Sequence, residues 1–198
     1  MPRKRALRDE READVVRAAT AVFLRYGFAR TTMGDLATEA KISRPALYLF
    51  FPSKELAFAA VVRRMDADWH AEIVAGLRKH ATLEGQLRYA CGSWAAHGVT
   101  TMAKHPDARD LFDLSFEAVR EMYEHFQSLI ADLMSDAVAA AGFPASSKEL
   151  ARSLMWAMRG IKEAAATPAE MSRLAEVQIE LLIAALQVPL TSKSRRRG

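Results

Sequence analysis

The chain has 198 residues, of which 51% are hydrophobic while only 9 are Gly and 7 are Pro, a balance that excludes a disordered chain and fits a helical globular protein with a substantial core. No apolar run approaches the roughly 18 to 20 residues that a bilayer span needs, and Met1-Pro2-Arg3-Lys4-Arg5 leads into charged sequence, so a cytoplasmic protein with no membrane partner is expected. The net charge of +4 is segregated: residues 1–60 hold 11 Lys/Arg against 7 Asp/Glu, residues 61–190 hold 13 against 17, and Lys193, Arg195, Arg196 and Arg197 follow in the tail. A basic end on a mildly acidic body suggests one end that meets a polyanion.

In chain order, Val15, Val16, Ala19, Val22, Phe23 and Tyr26 fall on one helix face within Arg11 to Tyr26, and Gly27 supplies a stop. Thr32 with Asp35 three residues on makes a variant capping box for a short second helix, Met33 to Ala40. Ser43 caps a third helix that tolerates Pro45 in its first turn and is expected to run to about Phe51. Pro52-Ser53 breaks it, and Ser53 caps a fourth, extending to about His80.

Further helices are predicted at about 83–104, 107–113, 115–141, 147–165 and 168–188, separated at His105-Pro106, Gly142-Phe143-Pro144 and Thr167-Pro168. Leu150, Leu154, Ala157, Met158 and Ile161 share one face, as do Leu174, Val177, Leu181, Ala184, Ala185 and Val188. No strand pattern occurs, so the predicted class is all-α.

Three helices in about 50 residues, with a short turn between the second and third, match a recognition helix braced for a DNA major groove. The stretch Val15 to Val61, with Phe23-Leu24-Arg25-Tyr26-Gly27-Phe28, Thr31-Thr32-Met33, Leu36-Ala37 and Leu47-Tyr48-Leu49-Phe50-Phe51-Pro52-Ser53-Lys54-Glu55-Leu56, resembles the tetracycline-repressor-like (TetR) family. The resemblance implies a helix-turn-helix domain at 1–52, a helical ligand-binding and dimerisation domain at 53–190, and a basic tail at 191–198 that is expected to be disordered. It also implies a repressor that binds operator DNA as a homodimer and is released by a small ligand.

Within the first domain, Leu36, Ala37, Ile42, Leu47 and Phe51 suit the small core between helices. Arg44 has the planar donor fork that pairs with guanine O6 and N7, with a phosphate contact or a solvated position as the alternatives. Pro45 and Leu49 offer apolar surface, for which a thymine methyl is the available partner. Ser43 stands at the head of the same helix and is grouped with these residues as DNA-binding. The resemblance assigns Tyr48 and Lys54 to phosphates, and Thr32 adds a hydroxyl at a helix N-terminus. Lys41 stands where the family usually has Gly, a substitution that costs on the order of 1 kcal/mol if the residue is left-handed and that a phosphate contact would partly offset. Phe50 replaces the family's more frequent Tyr or His.

The body is rich in aromatic and Met residues, from which Trp94, Phe116, Tyr123 and Trp156 are expected to line a pocket for a small apolar or aromatic effector, with His97 as a polar group among them. Arg120, Arg159 and Lys162 are further polar candidates, each with a surface position as its alternative. By position, the last two helices resemble the family's dimer interface, with Leu150, Leu154, Met158, Leu174, Val177, Leu181 and Val188 facing the mate. The five His residues and single Cys91 form no metal-ligand spacing, and no nucleophile turn or Gly-rich phosphate loop occurs, so no metal, no cofactor and no enzymatic activity are expected. The competing reading is a DNA-binding protein without an inducer, a constitutive or architectural factor with a filled body.

Overall fold

The computed structural model describes residues 2–187, with side chains from Arg8 onward. Val188, the tail 191–198 and the side chains of Arg3, Lys4 and Arg5 lie outside the described residues. The elements are α1 Pro2–Arg30, α2 Met33–Glu39, α3 Arg44–Tyr48, α4 Lys54–Leu77, α5 Leu83–Lys104, a 3-10 helix Pro106–Phe112, α6 Glu117–Ala141, α7 Ser147–Ala164 and α8 Pro168–Gln187. No strand occurs among the described residues, and the all-α class holds.

The ends of these helices follow from single residues. Gly27 leaves helical geometry at φ +70° and ψ 174°, which separates the long part of α1 from the turn at 28–30. A Cβ at Gly27 would run into the carbonyl oxygen of Asp107, so glycine is required there twice over, by conformation and by space. Thr32 and Ser146 each accept a hydrogen bond from the backbone three residues on, and Asp35 and Glu149 return it, giving reciprocal boxes at α2 and α7. Gly142 at φ +59° ends α6, with the Phe143 N–H donating to Val138 O at 3.2 Å.

Two expected boundaries differ. Helix α1 begins at Pro2 rather than near Arg11, because residues without an apolar stripe still have good helix propensity. Helix α3 ends at Tyr48, short of Phe51: Leu49 N–H turns back to Ala46 O and Phe50 N–H to Leu47 O, tightening the last turn. Phe51 precedes Pro52, whose ring disfavours helical geometry at the residue before it.

The described chain forms two compact units, one from residues up to 72 together with 94–123, the other from 73–93 with the chain from 124 onward. The first unit has a core centred on Phe23, Leu36, Leu47, Phe58, Leu111 and Val119, all essentially inaccessible. Leu36, Ala37, Leu47 and Phe51 are buried in it as expected, and Ile42 packs against it. Each such side chain contributes about 1.5 to 3 kcal/mol by leaving water. The second unit buries Ile73, Leu87, Phe126, Ile130, Met134 and Ile179, and α7 packs on α8 within it. Cys91 is buried, which pushes its thiol up to about 12 and makes it an unreactive small apolar residue.

Candidate nucleic-acid interface

Helices α2 and α3 pack on each other, and α2 packs on α1. The turn that joins α2 to α3 is set by Lys41, which takes φ +55°. Lys41 N–H donates to Thr38 O and Ile42 N–H to Ala37 O, both at 3.1 Å, the paired bonds that close a helix at a left-handed residue. A lysine therefore occupies a conformation that glycine adopts without strain, and its side chain is exposed.

Ser43 then opens α3 by accepting from Ala46 N–H at 3.3 Å, with Pro45 in the first turn. Leu47 is fully buried and anchors the helix, which leaves Arg44, Pro45, Tyr48 and Leu49 outward. Arg44 lies over the Tyr48 ring with 5.9 Å between guanidinium carbon and centroid, and its Nη2 donates to Tyr48 Oη at 3.4 Å. The pair is one turn apart, the spacing at which side chains on a helix meet. Tyr48 is 41% exposed and Leu49 80%, so the helix presents a cation, a phenol and an apolar tip side by side. Phe50 is half-buried against the core.

The hydroxyl of Thr32 is engaged locally. It donates to Asp35 Oδ2 at 2.7 Å and accepts from Asp35 N–H at 3.2 Å; the donated bond, with one from the Thr32 backbone N–H to the same oxygen at 2.9 Å, holds the Asp35 carboxyl below its ordinary range. Lys54 is engaged too: its ammonium donates to the Phe28 carbonyl at 2.9 Å and lies 4.2 Å from the centre of the Phe28 ring. Two of its three N–H donors remain for other acceptors. The partner of Lys54 is 26 positions away, and neither periodicity nor capping signals point to it.

Of the expected pocket residues, the first unit brings Trp94, His97 and Tyr123 together around Trp69. Trp69 meets Trp94 edge-on at 5.9 Å and stacks on His97 at 5.0 Å, and Trp94 meets Tyr123 edge-on at 5.9 Å. His97 Nε2 is 3.5 Å from the Glu72 carboxylate. Phe116 lies elsewhere in that unit, against Phe28 at 4.9 Å and Phe58 at 4.6 Å. Trp156 belongs to the second unit, with half its surface exposed. Arg120 donates to the carbonyls of Leu114 and Ser115 and so ties down the loop before α6. Lys162 is shifted below the ordinary lysine range, first by burial and then by the nearby Arg159.

On the presumed mating helices, Leu174 and Leu181 are exposed, at 40% and 59%. Leu150, Met158 and Val177 are half-buried, while Leu154 is in the chain's own core. Among the described residues no group of three or more His, Cys, Asp or Glu is arranged to hold a metal ion, and no helix is long and apolar enough to cross a membrane.

The arrangement is a helix-turn-helix followed by a helical body. Residues 15–61 match the model of the family described as "Bacterial regulatory proteins, tetR family". The HTH-type transcriptional regulator YfiR of Bacillus subtilis is 42% identical over 55 residues, 28% of this chain, and the chain spans 27% of the length of that relative. A TetR-family transcriptional regulator from Mesorhizobium loti superposes with a TM-score of 0.64 at 22% identity, covering 89% of this chain and 96% of that one. Thermus thermophilus FadR, a TetR-family repressor solved in complex with lauroyl-CoA, does so with a TM-score of 0.62 at 22% identity, covering 91% and 97%. Residues 15–61 thus resemble the DNA-binding segment of the TetR family, and the described chain shares the fold of these solved regulators.

Proposed function

We propose that this protein is a DNA-binding transcriptional regulator, acting as a homodimer on operator DNA and released from it as a repressor by an apolar or aromatic effector. The observation that carries the reading is the outward face of α3. A short helix anchored by a fully buried Leu47 offers Arg44, Tyr48 and Leu49 to solvent, and a monomer gains nothing by leaving an 80% exposed leucine beside a stacked arginine. In a major groove the same residues have partners: guanine for the Arg44 fork, phosphate for the Tyr48 hydroxyl, and a thymine methyl for Leu49 and Pro45. Lys41, Ser43 and the remaining donors of Lys54 flank that face and supply phosphate contacts, whereas the single O–H of Thr32 is committed to Asp35.

The exposed Trp156, Leu174 and Leu181 support a mate at α7 and α8, since large apolar side chains left in water mark interaction surfaces. The aromatic group around Trp69, with His97 and Glu72 at its polar edge, supports an effector that is largely apolar. The lauroyl-CoA of the Thermus thermophilus relative makes a long acyl chain a first candidate. Contact of Trp69, Trp94 and Tyr123 with one another favours the second reading, a constitutive factor whose body is filled by its own rings. A thermal shift with lauroyl-CoA and a panel of aromatic acids separates the two, because a compound that binds only the folded state raises the melting temperature.

Genomic footprinting tests the DNA reading. Protection of a few discrete tracts is the expected result, and uniform salt-sensitive coverage would contradict sequence-specific regulation.

A further inference from the structure

Several contacts of the first unit converge on one peptide outside the DNA-facing surface. At Gly27 the chain turns at φ +70° against the Asp107 carbonyl. The next residue, Phe28, donates its N–H to the Asp110 carboxylate at 2.7 Å across 82 positions of chain. Its carbonyl accepts from Lys54 at 2.9 Å, and its ring meets Phe58 and Phe116 edge-on at 5.1 and 4.9 Å. Arg30 completes the set through an ion pair with Asp107. Thr31, buried, then donates its hydroxyl to Gly27 O at 2.7 Å, and Thr32 caps α2.

We propose that Asp110 is a positioning residue for DNA binding: from the 3-10 helix its carboxylate fixes the Phe28 peptide and, through Thr31 and the Thr32 cap, the direction in which α2 and α3 leave α1. The inference rests on the DNA-binding reading and goes beyond it. Only two residues separate Phe28 from Thr31, and α2 carries α3, so a tilt at Phe28 is passed on to Arg44. A hydrogen bond to a partly buried carboxylate is stronger than a neutral one, and deleting the acceptor leaves the Phe28 N–H without this partner. The sign of the effect identifies the role. A carboxylate gains nothing from touching phosphates, and removing its negative charge by itself strengthens binding to DNA. A loss of affinity on removing Asp110 therefore reports geometry.

The test uses the full-length protein, a duplex enriched by the wild type from a random library, and a scrambled duplex of the same composition, with amide hydrogen exchange at Phe28 followed in parallel. Asp110→Ala is expected to speed exchange at Phe28 and to lose at least about tenfold in affinity for the enriched duplex, while affinity for the scrambled duplex is unchanged or higher. Asp110→Asn, which keeps an acceptor without the charge, is expected to restore the preference. Equal affinity of Asp110→Ala and wild type for the enriched duplex would overturn the positioning role, as would an Asp110→Asn variant as poor as Asp110→Ala. Should Asp110→Ala fail to fold, Asp110→Glu carries the test: it keeps the charge but displaces the acceptor, and an unchanged preference counts against the proposal. A wild type that enriches no duplex removes the DNA-binding reading itself, which is a different failure from an indifferent Asp110 variant.

Discussion

At the scale of single residues, function and strain sit side by side in the turn before α3. Arg44→Ala removes the guanidinium that the Tyr48 ring and hydroxyl hold in place. It is expected to relax preference at one base-pair position at a cost of about 1 to 3 kcal/mol there, read from binding-site profiles of the two proteins. Lys41→Gly relieves the left-handed strain at φ +55°. It should stabilise the fold by about 1 kcal/mol in a denaturant titration. The same variant is expected to bind DNA more weakly, because an exposed cation beside α3 is lost. The Lys41 geometry was legible only through the resemblance, because Lys41 stands where that family usually has a glycine, the residue that takes a positive φ without strain. The sequence itself made the outward set of α3 legible, from the buried spacing of Leu47 and Phe51. The partners of Lys54 and Asp110 were not legible: each bond joins residues 26 or 82 positions apart, and no periodicity encodes such a pairing.

At the scale of elements, the caps decide where helices begin and how they respond to acid. Hydrogen bonds from Thr32 hold the Asp35 carboxyl below its usual range, and those from Ser146 do the same for Glu149. A carboxyl whose folded value is depressed adds stability above its unfolded value and withdraws it as the pH falls through the folded one. Both boxes are therefore complete at neutral pH and lose their contribution only as the pH falls below the ordinary carboxylate range. Ser146→Ala is expected to cost about 1 kcal/mol at neutral pH, the usual worth of a serine cap. It should also flatten the acid limb of the stability curve, because Glu149 loses the hydroxyl that donates to its carboxylate; an acid limb identical to that of the wild type would show that the box does not couple to folding. Helix starts at Thr32 and Ser43 were readable because a cap is a local signal, whereas at α7 only the break at Gly142-Phe143-Pro144 was read and the Ser146 cap was missed. The end of α3 was less readable: the apolar run through Phe51 continues, while the backbone tightens after Tyr48 and Pro52 restricts the residue before it.

At the scale of the whole molecule, the proposed function involves two copies of the chain. Leu181 is the most exposed large apolar residue of α8, at 59%, and Leu181→Glu is expected to give monomers of unchanged helical content by sedimentation and circular dichroism. Operator affinity should fall by about a hundredfold or more, since the second half-site is then no longer held at high effective concentration. The stripe in the sequence located this face only approximately. Leu154 and Leu181 have the same periodic appearance, yet one is in the chain's own core and the other is in water, a distinction that packing makes and spacing does not. The pocket was the least legible feature, because aromatic residues at helical spacing carry no mark of whether a ligand or a neighbour fills the space between them. The most direct test of the central claim is selection of bound duplexes from a random library by the wild-type protein. A near-palindrome with half-sites one helical turn apart, about 34 to 36 Å, is predicted, its specificity weakened at one position per half-site in Arg44→Ala. Recovery of sequences without half-sites, indistinguishable between wild type and Arg44→Ala, would contradict it.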